Sequence, residues 1–227
     1  MDYSQFLALK QEIGLFIVFL LVFLYDTFAS RKAQGALPVI ACVLMGIVTL
    51  WGFCPECKAD VTAFSGMYAS SATIAAIKNI LNVGALIVLI QSVKWANSEF
   101  VAVRRGEFYE LILLTLLGMY FMISSRHFLM FIIGLETASL PLCALVAFDK
   151  NRYESHEAAI KFVLTAVFSS AILLMGLSFV YGLTGTLYYD MMALTMRSNL
   201  GVMLVVGLAF VLAGFGFKLS LVPLHLW

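Results

Sequence analysis

Seven apolar stretches, each close to bilayer-spanning length, constrain this chain more than any other feature. They fall near residues 13–28, 37–53, 71–93, 111–124, 128–148, 158–181 and 199–219. A helix needs about 20 mostly apolar residues to cross the hydrocarbon layer. The runs are continuous rather than alternating at every second residue, which argues for helices and against barrel strands. The chain is 63% hydrophobic and 12% charged, whereas a soluble domain carries roughly 25% charged residues. A water-soluble core could not hide so much apolar surface in a chain of this size. The expected class is an all-α integral membrane protein with about seven transmembrane helices. The first run lacks a small-residue cleavage site and reads as a span rather than a signal peptide.

Short polar breaks separate the runs: "SRKAQG", "CPECKADVTAFSG", "KWANSEFVAVRRGEFYE", "SSRH", "DKNRYESHE" and "TLYYDMMALTMRS". Arg31, Lys32, Lys94, Arg104, Arg105, Lys150 and Arg152 fall on one side; Lys10, Lys58, Arg126 and Arg197 fall on the other. The excess of positive charge faces the cytoplasm, so the N-terminus is expected outside. A formal net charge of +1, with no basic stripe, excludes nucleic acid as a partner.

Ionisable residues inside spans are costly and mark function. Glu136 lies within "FIIGLETASLPLCALVAF", too deep to reach the headgroups, and needs a base or a proton. Pro141 follows it and frees a backbone carbonyl nearby. Lys161 opens the sixth span with Glu157 one turn before it; it either takes part in charge movement or snorkels to the headgroups. Lys218 stands in "GFGFKLSLVPLHLW", where Gly214, Gly216 and Pro223 interrupt a helix. Interrupted helices with an ionisable residue at the break form ion sites in transporters. A desolvated lysine there exchanges protons more readily. His225, two turns further along, extends a proton path or sits at the interface. Lys78, with Asn82 one turn away, reads as lining a polar seam or snorkelling.

Cys54 and Cys57 form a single C-x-x-C pair, expected as a local disulfide or two free thiols rather than half a zinc site. Cys42 and Cys143 read as small core residues. No nucleotide loop, dinucleotide fingerprint, catalytic triad, haem or iron–sulfur ligand pattern is present in the sequence. No cofactor is therefore expected on this chain, and the remaining chemistry is charge movement across lipid. A non-conducting membrane scaffold is the alternative that composition alone leaves open.

"GLETASLPLCALVAF", "YESHEAAIKFVLTAVFSSAILLMGLSFVYGLTGT" and "GFGFKLSLVPLHLW" resemble the antiporter-like membrane subunits of bacterial NADH:quinone oxidoreductase, respiratory complex I. The "YES-x-EAA-x-K" entry and the "YGLTGT" exit resemble the N type among them. The resemblance is strongest from Phe108 to Trp227. It implies an inverted-repeat fold with a broken seventh helix, here divided into N-terminal helices (1–107) and an incomplete first repeat (108–227). It also implies a translocase function: a proton half-channel in which Glu136 couples to Lys218, with Lys161 and His225 as further proton-transfer residues. The implied partners are other membrane subunits of the complex and membrane lipids, in a bacterial inner membrane. Multisubunit cation/proton antiporters and membrane-bound hydrogenases share this scheme. The family pattern continues beyond "PLHLW", so the chain is expected to be the N-terminal part of a longer protein.

Overall fold

The computed structural model describes residues 3–30, 33–54, 60–98, 101, 103–198 and 201–222. Pro223, His225 and Cys57 lie outside them. Among the described residues the helices are α1 (Lys10–Phe28), α2 (Leu37–Trp51), α3 (Ala72–Ala96), α4 (Arg105–Ser124), α5 (Phe128–Val146), α6 (Tyr153–Thr184), α7 (Tyr189–Ser198) and α8 (Val202–Lys218). Six of these apolar segments are long enough to cross a membrane, and α8 is a shorter apolar helix. The chain is therefore an all-α membrane protein, as its runs of apolar residues require. The short strands β1 (Val61–Ala63) and β2 (Tyr68–Ser70) pair antiparallel between α2 and α3, with Thr62 opposite Ala69.

The observed helices are longer than the apolar runs where polar residues form their first turns. α4 starts at Arg105, ahead of the expected 111. A helix start tolerates Glu107 because its first turn carries free N–H groups and the positive end of the dipole. α6 absorbs "YESHE" as its first turn and runs for 32 residues, about 48 Å at 1.5 Å per residue. That exceeds a hydrocarbon layer of about 30 Å, so one end of α6 projects beyond it. The "TLYYDMMALTMRS" break is not a simple loop: most of it forms α7.

Two compact units make up the chain: Met1–Arg126 with Met130–Leu145, and His127–Leu129 with Val146–Trp227. In the first, α1 to α4 enclose a core of Leu15, Val18, Val22, Leu37, Met45, Leu89 and Leu113. The opposite faces of these helices expose residues such as Phe16, Leu20, Ile47 and Ile87. Helices that are apolar all round suit a lipid solvent, which makes outward-facing leucine no penalty.

In the second unit α6 packs along α8, and small residues set the distance. A Cβ on Gly176 would stand 2.6 Å from the Val211 amide nitrogen and 2.7 Å from the Gly207 carbonyl. A Cβ on Gly214 would stand 2.8 Å from Leu173 Cβ. Ser169 Oγ donates to the Gly214 carbonyl at 3.2 Å. Gly214 thus serves close helix packing, where the sequence suggested a loosened backbone. Backbone approach of this kind drives helix association in lipid, because apolar side chains gain nothing by leaving it.

Candidate functional site

α8 stops at Lys218, and its end is built like a formal terminator. Ser220 takes a left-handed conformation, φ 55°. The Ser220 N–H donates to the Phe217 carbonyl at 3.0 Å and the Leu221 N–H to the Gly216 carbonyl at 2.8 Å. This pair of bonds is the Schellman arrangement, which satisfies carbonyls that lose their helical partners. The Lys218 Nζ is shielded from solvent and sits in the last helical turn, where the negative end of the dipole favours a cation. The expected interruption at Lys218 is therefore present, at least as a helix end.

Glu136 is half-buried in α5, and Ser139 Oγ reaches its carboxylate at 3.5 Å. Pro141 lies inside that helix and removes the amide that would bond the Thr137 carbonyl. Glu136 belongs to the first unit and Lys218 to the second. Lys161 is exposed and pairs with Glu157 at 2.5 Å, one turn before it on α6. His225 lies outside the described residues. Cys54 is exposed and Cys143 buried, with Cys42 between them; Cys57 is again outside the described residues. Among the described residues no cluster of His, Cys, Asp and Glu could hold a metal ion.

The fullest electrostatic cluster is one the sequence did not assemble. Lys78 does not snorkel: it is fully buried, and its Nζ donates to Glu12 Oε1 at 2.5 Å. Glu12 is 3% exposed. Tyr68 on β2 places its hydroxyl 3.1 and 3.0 Å from the two carboxylate oxygens of Glu12, and 3.5 Å from Lys78 Nζ, which donates to it. Ser124, at the end of α4, donates to Glu12 Oε1 at 3.3 Å. The Lys78 ammonium also lies 5.5 Å from the centroid of the Tyr68 ring and 5.3 Å from that of Tyr120. Both faces attract a cation electrostatically. One turn along α3, Asn82 accepts from the Tyr120 hydroxyl.

Each partner answers a cost of burial. An ion pair taken out of water recovers its desolvation only if further hydrogen bonds satisfy both ions. Here the carboxylate gains Tyr68 and Ser124, and the ammonium gains Tyr68 and two aromatic faces. Burial, and then the Glu12 charge, raise the pKa of Tyr68 well above the usual phenol range. The phenol therefore stays a proton donor. In the sequence Lys78 read as a seam or snorkelling residue without an acid partner, and Glu12 stands 66 residues away and just outside the first apolar run. The usable signal was position: both residues lie near the N-terminal ends of helices that run the same way.

At the far end of the same helices, Arg105 donates to the Gln34 carbonyl at 3.2 Å and to Asn97 Oδ1 at 3.0 Å. Gln34 Nε2 donates to the Asp26 carbonyl at 3.1 Å. Between the two polar ends lie Leu15, Val18, Leu89 and Leu113, all buried.

A polytopic helical membrane protein with buried acid–base groups is the class defined by these features. The family model for the transmembrane part of NADH:quinone oxidoreductase and Mrp antiporter proteins matches residues 125–227. A protein of Azobacteroides pseudotrichonymphae named NADH-quinone oxidoreductase subunit N is 48% identical over the whole chain, which covers 47% of it. A protein of the same name from Phocaeicola vulgatus is 44% identical, again with the whole chain covering 47% of it. A chain of respiratory complex I from Thermus thermophilus superposes with TM-score 0.74 at 26% identity, over 96% of this chain and 45% of that one. A chain of an archaeal membrane-bound sulfane sulfur reductase shares the fold, with TM-score 0.76 at 22% identity, over 98% and 46% of the two chains. Along its whole length the chain is similar to proteins named NADH-quinone oxidoreductase subunit N, and its second half matches the family model of these antiporter-like membrane proteins. It spans about half the length of the curated relatives it matches.

Proposed function

We propose that the chain is part of a membrane-arm subunit of a proton-translocating NADH:quinone oxidoreductase. The observation that carries this reading is similarity along the entire chain, at 48% identity, to a protein named NADH-quinone oxidoreductase subunit N. The chemistry supports it: a lysine with a shielded ammonium at a helix end and a half-buried glutamate beside a proline. In this reading Glu136 stabilises the protonated form of Lys218 by Coulomb attraction, which is strong in a poorly solvated interior. A signal from elsewhere in the complex weakens that attraction, and Lys218 releases its proton along a hydrated path. Lys161 and His225 relay or restore it. Residues 1–107 supply the first helices, and 108–227 begin the antiporter-like repeat. The partners are the neighbouring membrane subunits and lipid of a bacterial inner membrane, with the N-terminus outside.

The experiment is Lys218→Met and Glu136→Gln in the full-length subunit, measured in the assembled complex. Quinone reduction coupled to proton uptake falls strongly in both. Full coupled turnover in both variants would remove the assignment. The family model also spans Mrp antiporters, which supports a second reading as a cation/proton antiporter subunit. Co-purification of flavin and iron–sulfur subunits selects the first reading; their absence selects the second.

A further inference from the structure

Glu12 and Lys78 have no part in the half-channel above, and the sequence resemblance assigns them none. They are nevertheless the most completely enclosed charges among the described residues: their side chains are 3% and 1% exposed. We propose that they form a second proton-exchange site, loaded from the end of the first unit that the β1–β2 hairpin covers, with Tyr68 as the positioning residue that holds it closed. The proposal rests on the reading of the chain as a proton-moving subunit.

The first argument is chemical. A buried ion pair is a poor way merely to fasten helices, because apolar residues of similar volume do so as well or better. What a carboxylate and an ammonium at 2.5 Å add is a transferable proton. The N–H bond of the Lys78 ammonium breaks, an O–H bond forms on Glu12 Oε1, and both groups become neutral. No co-reactant is required.

The second argument is the way the ionic form is held. The Tyr68 hydroxyl touches both carboxylate oxygens, and its ring lies over the ammonium. One side chain thus favours both charges. Tyr68 is carried by a short hairpin, not a helix. The hairpin is tied down by an isolated bridge from Tyr68 to Ser125. A bond from the Phe64 amide to Gln5 Oε1 at 3.1 Å, one from the Arg126 amide to the Met67 carbonyl at 2.8 Å and an edge-on contact of Phe64 with Phe6 add to the ties. Displacing the hairpin removes the donor and the aromatic face together, so the proton moves to Glu12. Ser124 at 3.3 Å and the Ala8 carbonyl, 3.4 Å from the Tyr68 hydroxyl, mark the way out.

The third argument is direction. The buried side chains of Leu15, Val18, Leu89 and Leu113 are apolar, whereas the further hydrogen-bond partners of the pair, Tyr68 on β2 and Ser124 at the end of α4, stand at the hairpin end. The site therefore exchanges with the hairpin end. From the packed elements, the polar groups bonded into it include Glu12 from α1, Tyr68 from β2, Lys78 from α3 and Ser124 from α4. Glu12 and Lys78 are the charged ones.

The test uses the assembled complex carrying the full-length subunit, with Tyr68→Phe, Tyr68→Phe/Glu12→Gln, Glu12→Gln/Lys78→Met and Lys218→Met. In infrared difference spectra, Tyr68→Phe gains the carbonyl band of a protonated carboxylic acid, and adding Glu12→Gln removes that band. In proteoliposomes the Glu12→Gln/Lys78→Met complex translocates protons several-fold more slowly per quinone reduced. If that complex keeps the full proton-to-electron ratio while Lys218→Met loses it, the pair is only a structural clamp and the inference fails, with the proposed function intact. If Lys218→Met also keeps the full ratio, the proposed function fails too. Should Glu12→Gln/Lys78→Met not assemble, the Tyr68→Phe spectrum decides, and absence of the carboxylic-acid band overturns the inference.

Discussion

Removing one member of the Glu12–Lys78 pair gives a sharp thermodynamic prediction. Glu12→Gln keeps the shape of the side chain but deletes its charge, leaving an enclosed ammonium opposite an amide. Breaking a buried pair in this way costs about 3–5 kcal/mol. Part of that loss is the bond from Tyr68, since a hydrogen bond to a charged group is worth about 1.5–3 kcal/mol. The two figures overlap and do not add, because the same carboxylate receives both interactions. Lys78→Met is the mirror case and costs a similar amount. In Glu12→Gln/Lys78→Met neither charge remains, and replacing a whole buried pair is often neutral or stabilising. The double variant is expected within about 1–2 kcal/mol of wild type, far less than the sum of the single losses. Unfolding of the purified full-length subunit in mixed micelles, followed by tryptophan fluorescence against denaturant, measures all three variants. Single variants that lose less than about 1 kcal/mol would show that the pair is not enclosed as described. A double variant as damaged as the sum of the singles would show that packing, not charge, dominates there.

Two further outcomes follow from the second unit. Gly176→Leu drives a side chain into the backbone of α8 and should cost at least the ~1–3 kcal/mol typical of overpacking, read in the same unfolding assay; unchanged stability would refute the close α6–α8 approach. His127 is 6% exposed, stands edge-on to Tyr188 at 4.7 Å, and its Nδ1 accepts the Leu129 N–H at 3.2 Å. Burial lowers its pKa, so as pH falls the unfolded chain takes the proton first. This contribution to stability is complete above about pH 6.5 and is lost below it, with a slope of at most about 1.4 kcal/mol per pH unit down to the depressed folded pKa. Replacing His127 with Gln should flatten that slope in stability measured from pH 7.5 to 5 (about the range in which histidine titrates); an unchanged slope would assign it elsewhere.

Several features of the site were legible before any coordinates. Glu157 and Lys161 are four residues apart on one helix, and they pair. "GFGFKLS" announced an end to α8 at Lys218, and the chain does turn there through Ser220. The glycines before that end were readable as special, but not for which purpose. A glycine that loosens a helix and one that admits a neighbouring backbone look alike in sequence. Gly214 is of the second kind, because Leu173 fills the space a Cβ would take. The β1–β2 hairpin escaped notice because three-residue strands carry almost no periodic signal.

What the sequence determined by itself was the class and the approximate placement of the long apolar helices. In hydrocarbon every backbone N–H and C=O must be satisfied within its own segment, so a long apolar run has few alternatives to a helix. What only the tertiary structure decided was which charge meets which. Glu12 and Lys78 are 66 residues apart, joined by a hydroxyl from a strand between them and a serine from the end of α4. No local rule links those positions. They meet because α1, α3 and α4 bring matching ends together, and an enclosed ammonium is tolerated only where a carboxylate arrives at the same depth.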